Sequence, residues 1–270
     1  MIRRSGGLMY CRRAHNTVMV DGMEQNQRGK SREEYVVSEP LPHTWITDEK
    51  YDYVSASYDF MRPSDEASHT YEAMFHLDAD DAVALEDTCA VVTKNGEGES
   101  NLGIYALSEN TVDLSIVSGQ EEPTVQGWIP RGGPYQCEPI PTAVFKTEGV
   151  GPVVMSYVLC PMRAGEESSV TDVAHISATA DNGRVAIAGR IGLRGDRAIF
   201  FAQSEAGDGW VRAGEGQTDG EACAVELAEG RVDRLIVVEG SQVLGQGKNV
   251  VILNSPKETQ RWFQAHFSKE

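Results

Sequence analysis

The residues with the clearest chemical potential form a cluster near the start of the chain. Residues 12–22 have the sequence RRAHNTVMVDG, in which a histidine follows two arginines and precedes an apolar run that ends in Asp-Gly. Histidine exchanges protons near neutral pH, and arginine makes paired contacts to carboxylate and sulfate groups. A histidine at the entrance of a strand is, taken alone, more often a hydrogen-bonded structural residue. The flanking arginines make His15 the leading candidate for chemistry in this sequence.

Composition limits the function classes that this cluster can serve. The 270 residues carry 24 Lys and Arg against 41 Asp and Glu, which gives a net charge of −17. A dedicated nucleic-acid-binding protein needs a basic face, so nucleic acid is not an expected partner. Membrane insertion is not expected either, because no apolar run approaches the roughly 20 residues of a membrane helix. P-loop, dinucleotide-binding, HExxH and GxSxG motifs do not occur in the sequence.

The elements that must position His15 are predicted to be β-strands. Short apolar runs alternate with Gly, Pro, Asn and Asp through most of the chain, a pattern typical of a sandwich or barrel. Within residues 222–240, Glu229-Gly230 is predicted to form the turn of a hairpin. The expected fold class is all-β, with a large two-sheet antiparallel β-sandwich that ends in a meander.

A helix is predicted only at the end of the chain. The segment SPKETQRWFQAHF, residues 255–267, begins with a Ser N-cap followed by Pro and then places Trp262, Phe263 and Phe267 at helical spacing. The expected organisation is a β-sandwich over residues 1–195. A terminal meander and a short C-terminal helix follow over residues 196–270, within the same domain.

Five segments carry a resemblance to a known family, and one of them is PLPHTWITDEKYDYVSASYDF at residues 40–60. RRAHNTVMVDGMEQ, residues 12–25, resembles the (R/T)xAHNTVxVDGxxQ block that opens the C-terminal β-sandwich of heparinase II/III-like polysaccharide lyases. ASHTYEAMFHLD, residues 67–78, is similar to a later histidine-bearing strand of that family. QGWIPRGGPYQCEPIPTAVFKTEG, residues 126–149, and GPVVMSYVLCP, residues 151–161, are similar to segments that come after it. The resemblance covers roughly residues 9–165.

The resemblance implies β-elimination of a polysaccharide that contains uronic acid. In this reaction a base takes the proton at C5, the glycosidic oxygen leaves C4, and an unsaturated sugar remains. The site needs a base, groups that stabilise charge on the carboxylate, and cationic groups that hold the polyanion. The resemblance assigns the catalytic role to His15 and substrate binding to Arg12, Arg13 and Asn16. Trp128 and Tyr135 are candidates for a sugar-stacking platform, with structural anchoring as the competing interpretation.

Zinc is an alternative role for the same histidine. In some members of the family the histidine of the HNT block ligates zinc together with a downstream acid and a second histidine. By position, His69 is the candidate for the second histidine, and Glu33 or Glu34 for the acid. A further histidine that those members carry two positions earlier is replaced here by Arg13. Zinc ligated by His15 and His69 is therefore kept as the alternative cofactor prediction.

The resemblance also implies a domain that this sequence lacks. In the family, much of the catalytic apparatus belongs to an N-terminal α/α toroid, and the chain contains no such helical region. The predicted function is the β-sandwich portion of a polysaccharide lyase, a carbon–oxygen lyase type that is expected to be inactive alone. A fragment of a longer lyase fits this prediction. The alternative is a non-catalytic carbohydrate-binding, accessory or structural domain.

Partners and compartment follow from the same resemblance. The predicted partners are an acidic polysaccharide and an α/α toroid on a separate chain or domain. Family members are mostly exported to the bacterial periplasm or beyond. This sequence shows no secretory signal of its own, because its start lacks an apolar stretch.

Overall fold

A computed structural model describes the chain in eleven ranges. They are residues 12–23, 43–49, 51–56, 66–86, 88–131, 136–183, 185–204, 209–214, 216–245, 249–252 and 261–263. Within these ranges β-strand is the main secondary structure and there is no α-helix, which confirms the predicted all-β class. None of the described residues belongs to a helix that is long and apolar enough to cross a membrane.

The chain divides into two compact units, Met1–Glu167 and Ser168–Glu270. The described strands that follow Ser168 pair with one another rather than with the strands before it. Several small sheets are formed in place of two large ones.

The described part of the first unit contains twelve strands. They are β1 (Thr17–Val20), β2 (His43–Thr47), β3 (Asp52–Ala56), β4 (Ser68–His76), β5 (Asp81–Ala84), β6 (Ala90–Lys94), β7 (Asn101–Leu107), β8 (Asp113–Val117), β9 (Trp128–Pro130), β10 (Cys137–Pro139), β11 (Thr142–Val150) and β12 (Ser156–Met162). Two four-stranded antiparallel sheets run in the orders β1-β4-β11-β8 and β12-β7-β6-β5. The pairs β2–β3 and β9–β10 form separate two-stranded ribbons.

The main core of the first unit lies between its two four-stranded sheets. Phe145 of β11 is fully buried and shares one apolar cluster with Ile104 of β7. The rings of Phe75, Phe145 and Tyr157 pack edge to face, with centroids 4.9 to 5.8 Å apart. Such aromatic contacts add roughly 0.5–1.5 kcal/mol each to the effect of burial. This core fixes the position of β4, the strand that pairs with β1 of the motif segment (residues 12–22).

Strand β4 divides its side chains between two faces. Ala73 and Phe75 belong to the main core, whereas Met74 belongs to a smaller cluster with Met19 and Val144. This alternation is what a strand with two covered faces requires, since successive side chains point to opposite sides. The even-numbered residues of β4 therefore lie on the same face of the sheet as Met19 of β1.

The described part of the second unit contains eleven strands. They are β13 (Val170–Ile176), β14 (Ala178–Ala180), β15 (Ala186–Leu193), β16 (Arg197–Ser204), β17 (Val211–Ala213), β18 (Gly216–Thr218), β19 (Ala222–Ala228), β20 (Arg231–Val238), β21 (Gln242–Gly245), β22 (Asn249–Ile252) and β23 (Arg261–Phe263). They form sheets in the orders β13-β15-β16-β19-β20-β23 and β14-β17-β18-β21-β22. The predicted hairpin is confirmed as β19–β20. Glu229 and Gly230 turn it with φ of +51° and +71°, as a tight two-residue hairpin turn demands.

The predicted C-terminal helix is wrong for the residues that the structure describes. Arg261–Phe263 form β23, which pairs with β20 so that Trp262 lies opposite Ile236. Aromatic residues favour strands, and the edge of β20 supplies hydrogen-bonding groups that outweigh the helical spacing of the apolar residues. The other residues of that predicted helix lie outside the described ranges.

Candidate functional site

The motif segment enters the first sheet as an edge strand. Residues Arg12–Ala14 form a short 3-10 helix, and β1 then pairs antiparallel with β4, with Thr17 opposite Met74 and Val20 opposite Tyr71. Asp21 and Gly22 end the strand with φ of +50° and +68°. Asp and Gly are among the residues that tolerate this left-handed region, which explains the Asp-Gly pair at this position.

His15 and Asn16 lie just before β1, and both are exposed. The side-chain carbonyl of Asn16 accepts a hydrogen bond of 2.6 Å from the backbone N–H of His76. Asn16 therefore ties the start of β1 to the end of β4. The neighbouring His15 is accessible to solvent.

Arg13 is bound inside the protein. Its Nη2 forms an ion pair of 2.8 Å with Oε2 of Glu72, and its Nη1 donates a hydrogen bond of 3.1 Å to Oε1 of Gln126. Only 16% of the Arg13 side chain and 18% of the Glu72 side chain are exposed. The guanidinium thus holds together the motif segment, β4 and the turn before β9. The backbone of Arg12, the other predicted substrate-binding arginine, belongs to the 3-10 helix.

The turn that Arg13 reaches is closely packed. Gln126 is 4% exposed, and its Nε2 has no hydrogen-bond partner among the described residues. Gly127 has φ of +76°, and a Cβ there would lie 2.8 Å from the Val117 carbonyl oxygen. Only glycine fits such a position without rearrangement. Two of the segments that carry the resemblance, residues 12–25 and 126–149, are therefore in direct contact through Arg13 and Gln126.

Trp128 follows this turn and is half-buried. Its indole Nε1 donates a hydrogen bond of 3.0 Å to the carbonyl of Gln120, and Trp128 pairs with Pro139 across the β9–β10 ribbon. The anchoring interpretation of Trp128 accounts for these contacts. Tyr135, the other candidate for the platform, lies outside the described residues.

His69 lies at the far end of β1 from His15. Its Nδ1 donates to Oδ2 of Asp21 at 2.6 Å, and Asp21 also accepts a hydrogen bond from the Thr70 backbone. His69 precedes His76 by seven residues on one extended strand, which is about 23 Å at a rise near 3.3 Å per residue. Zinc ligands lie about 2 Å from the metal, so the structure does not bring His15 and His69 together as a pair of ligands.

The described part of the chain contains no group of three or more His, Cys, Asp or Glu side chains arranged to hold a metal ion. Glu33 and Glu34, the candidates for the acidic zinc ligand, lie outside that part. Zinc therefore stays a prediction, and the arrangement of His15, His69 and Asp21 supplies no support for it.

Sequence reasoning missed His76, which is the histidine that the fold places beside the motif. Its Nδ1 is hydrogen-bonded to Oγ1 of the fully buried Thr142 at 2.9 Å. Burial lowers the pKa of His76 below its ordinary value of 6.5, nearby His15 acts in the same direction, and the backbone of Arg13 opposes the shift. His76 could have been found only from the register of β1 against β4, because that register determines the residue of β4 that lies beside Asn16.

Comparisons with known proteins add no assignment. No protein-family model matches the chain, and no curated protein matches it. The resemblance to heparinase II/III-like lyases therefore rests on the motif residues alone.

The contacts of Arg13 with Glu72 and Gln126, called the Arg13 clamp below, should contribute measurably to stability. Arg13→Ala leaves the Glu72 carboxylate and the buried Gln126 amide without their partner, so the free energy of unfolding should fall by about 2–3 kcal/mol. Urea denaturation measures the change. The control is Arg131→Ala, which breaks an ion pair with Asp78 whose side chains are 44% and 79% exposed. That variant should lose less than about 1 kcal/mol. Equal losses in the two variants would contradict the clamp.

The Asp21–His69 contact predicts a pH-dependent contribution to stability. Hydrogen bonds from the Thr70 backbone and His69 lower the pKa of Asp21 below its ordinary value of 3.8. The ionised carboxylate therefore stabilises the fold above that value, and the contribution disappears as the pH falls through the lowered pKa. Asp21→Asn keeps an acceptor for Thr70 but removes the charge.

Wild type should therefore be more stable than Asp21→Asn at about pH 6, and the gap should narrow as the pH is lowered below 3.8 and through the lowered pKa of Asp21. The midpoint of urea unfolding at each pH measures it. In a His69→Ala background the gap should shrink, because one of the two stabilising contacts is gone. A gap that stays the same size as the pH falls would refute the role of the charge.

Proposed function

We propose that this chain is the β portion of a heparinase II/III-like polysaccharide lyase and that the start of β1 faces an acidic polysaccharide. The observation that carries the proposal is the placement of the AHNT block. His15 is exposed immediately before β1. On one side of it Arg13 is bound to Glu72 and Gln126, and on the other side Asn16 is bound to the backbone of His76. A chemically active side chain on a rigidly held backbone is the arrangement that a catalytic or substrate-contacting residue requires.

The proposal gives the neighbouring residues distinct roles. His15 contacts the sugar and serves as base or hydrogen-bond donor in the elimination. Arg13 is a positioning residue, since its guanidinium is occupied by Glu72 and Gln126. An α/α toroid, in the same protein or on a separate chain, would supply the remaining catalytic groups. The first unit takes the place of the β-sandwich of the related lyases, with its core between the two four-stranded sheets.

Charge shapes how such a substrate would bind. A protein with a net charge of −17 repels a polyanion at long range, so electrostatic steering does not drive the encounter. Affinity must then come from short-range contacts at His15 and its neighbours. Raising the salt concentration should weaken these contacts less than it weakens binding to a basic groove.

A second candidate function is a non-catalytic carbohydrate-binding module. It is favoured by Trp45 on the β2–β3 ribbon, which is 73% exposed and lies opposite Val54, itself 52% exposed. The indole Nε1 of Trp45 donates a hydrogen bond of 3.2 Å to Oγ1 of Thr47. An exposed indole held in this way offers a flat apolar face on which a sugar ring can stack.

The test is binding to immobilised heparin, heparan sulfate, alginate and hyaluronan, together with ultraviolet detection of unsaturated product. We expect the chain to bind at least one of them and to release no product alone. His15→Ala should weaken binding about ten-fold, because it removes the exposed contact without touching the clamp.

Two variants serve as controls in the same experiment. His43→Ala removes another exposed histidine, on β2, and should leave binding unchanged. Trp45→Ala separates the two candidate functions. If Trp45→Ala abolishes binding while His15→Ala leaves it intact, the carbohydrate-binding module is correct and the lyase assignment of the site fails. Failure to bind any of the four polysaccharides would overturn both.

A further inference from the structure

We propose that Arg131 binds the carboxylate of the sugar that contacts His15, and that it determines the preference of the site for carboxylated saccharides. The inference depends on the proposed function, because it assigns a further side chain to the same site. The observation behind it lies outside the motif segment. Arg131 directly follows β9, and it forms an ion pair with Asp78, two residues beyond the end of β4.

Strand β9 runs alongside the part of β4 to which the motif segment is attached. Before β9, the side chain of Gln126 accepts a hydrogen bond from Arg13, which is paired with Glu72 of β4. After β9, Nη2 of Arg131 donates to Oδ1 of Asp78. Contacts on both sides of β9 therefore hold it along the stretch of chain from Glu72 to Asp78.

The start of β1 is attached to β4 between these two contacts. Asn16 accepts a hydrogen bond of 2.6 Å from the backbone of His76. Two residues of extended chain span at most about 7 Å, so Asp78 lies no further than this from His76 along the backbone. His15 directly precedes Asn16 and is exposed. The fold therefore presents His15 and Arg131 at the same end of β4, within reach of one short oligosaccharide.

Arg131 offers its charge to solvent, whereas Arg13 does not. The Arg131 side chain is 44% exposed, but that of Arg13 is 16% exposed and is bound by Glu72 and Gln126. The Asp78 side chain is 79% exposed, so it orients the guanidinium of Arg131 without burying it. That contact uses Nη2, and a guanidinium has five N–H donors in a planar fork. A sugar carboxylate can therefore bind Arg131 through two of the other donors.

The proposed reaction requires a cation in this place. The carboxyl carbon of a uronic acid is bonded to C5, the atom from which His15 would take the proton. Negative charge builds on the carboxyl group as that proton leaves, and a guanidinium held against the carboxylate stabilises it. The group that binds the carboxylate must therefore lie close to His15, as Arg131 does. The same contact gives specificity, because a sugar without the charge leaves the guanidinium without its partner.

The test compares two forms of one ligand. Affinity is measured by calorimetry for an oligosaccharide prepared from whichever of heparin, heparan sulfate, alginate or hyaluronan the wild type binds. It is measured again for the same oligosaccharide after its carboxyl groups have been reduced to alcohols. The ratio of the two affinities reports how much of the binding depends on the carboxylate. A purely structural role for Arg131 would lower both affinities and leave the ratio unchanged.

We expect this ratio to depend on Arg131. Wild type should bind the carboxylated form about ten-fold more tightly than the reduced form, as one charge-assisted contact implies. Arg131→Ala should bind the carboxylated form about ten-fold more weakly than wild type does and prefer it by less than about two-fold. Arg131→Lys should keep part of the preference, because an ammonium group keeps the charge but not the paired geometry. Urea denaturation should show that Arg131→Ala is folded, since an exposed ion pair contributes little to stability.

Lys146→Ala is the matched control for charge. Lys146 lies on β11 and its side chain is also 44% exposed, but it lies opposite Glu72. Thr142, four residues away, lies opposite His76, so Lys146 is about 13 Å from the His76 end of the sheet. Its replacement removes one positive charge from the same sheet and should change each affinity by less than about two-fold.

The outcomes also separate this inference from the function on which it depends. If His15→Ala weakens binding and Arg131→Ala keeps the wild-type ratio, the role of Arg131 is refuted and the site at His15 stands. Equal losses of affinity in Arg131→Ala and Lys146→Ala would also refute it, as would a wild type that binds both forms of the ligand equally well. If His15→Ala itself leaves binding intact, the site fails and the role of Arg131 fails with it.

Discussion

The antiparallel pairing of β1 with β4 is the constraint on which the described site depends. The strand β1 has four residues and lies at the edge of its sheet, yet its register places every motif residue. It sets Asn16 beside His76 at one end and Asp21 beside Thr70 at the other. A slip of one residue would turn each side chain to the opposite face and would break both contacts.

An edge strand this short needs help to hold its register, and the motif supplies that help. Arg13 reaches Glu72 on β4 and Gln126 in the turn before β9, and Asp21 caps the far end through Thr70 and His69. Most of the AHNT block and its flanks is thus engaged in fixing the strand. His15 remains as the exposed side chain that this rigid frame presents. Most motif residues therefore stabilise the position of β1, and His15 is the motif residue that is proposed to take part in chemistry.

The sequence predicted the features that depend on local chemistry. The all-β class followed from short runs bounded by turn residues, and the β19–β20 hairpin followed from Glu229-Gly230, whose positive φ values fit its turn. Features that depend on long-range pairing were missed. Helical spacing at Trp262 and Phe263 gave way to pairing of this segment with β20.

The site shows the same limit. His69 was the histidine chosen by position in the motif order, but the pairing of β1 with β4 puts His76 beside Asn16 and leaves His69 with Asp21. The sequence also marked Arg13 as a substrate ligand, because arginine suits carboxylates. Its carboxylate partner is Glu72, which lies 59 residues away in the chain and is brought close only by the fold.

Amide chemical shifts during titration with an acidic oligosaccharide test the central claim most directly. If the start of β1 faces the polysaccharide, the largest changes should fall on His15 and Asn16 and on the contacting turn at Gln126. The Asp21–His69 end of the same strand should stay unchanged. Changes confined to the β2–β3 ribbon around Trp45, with none at His15, would contradict it.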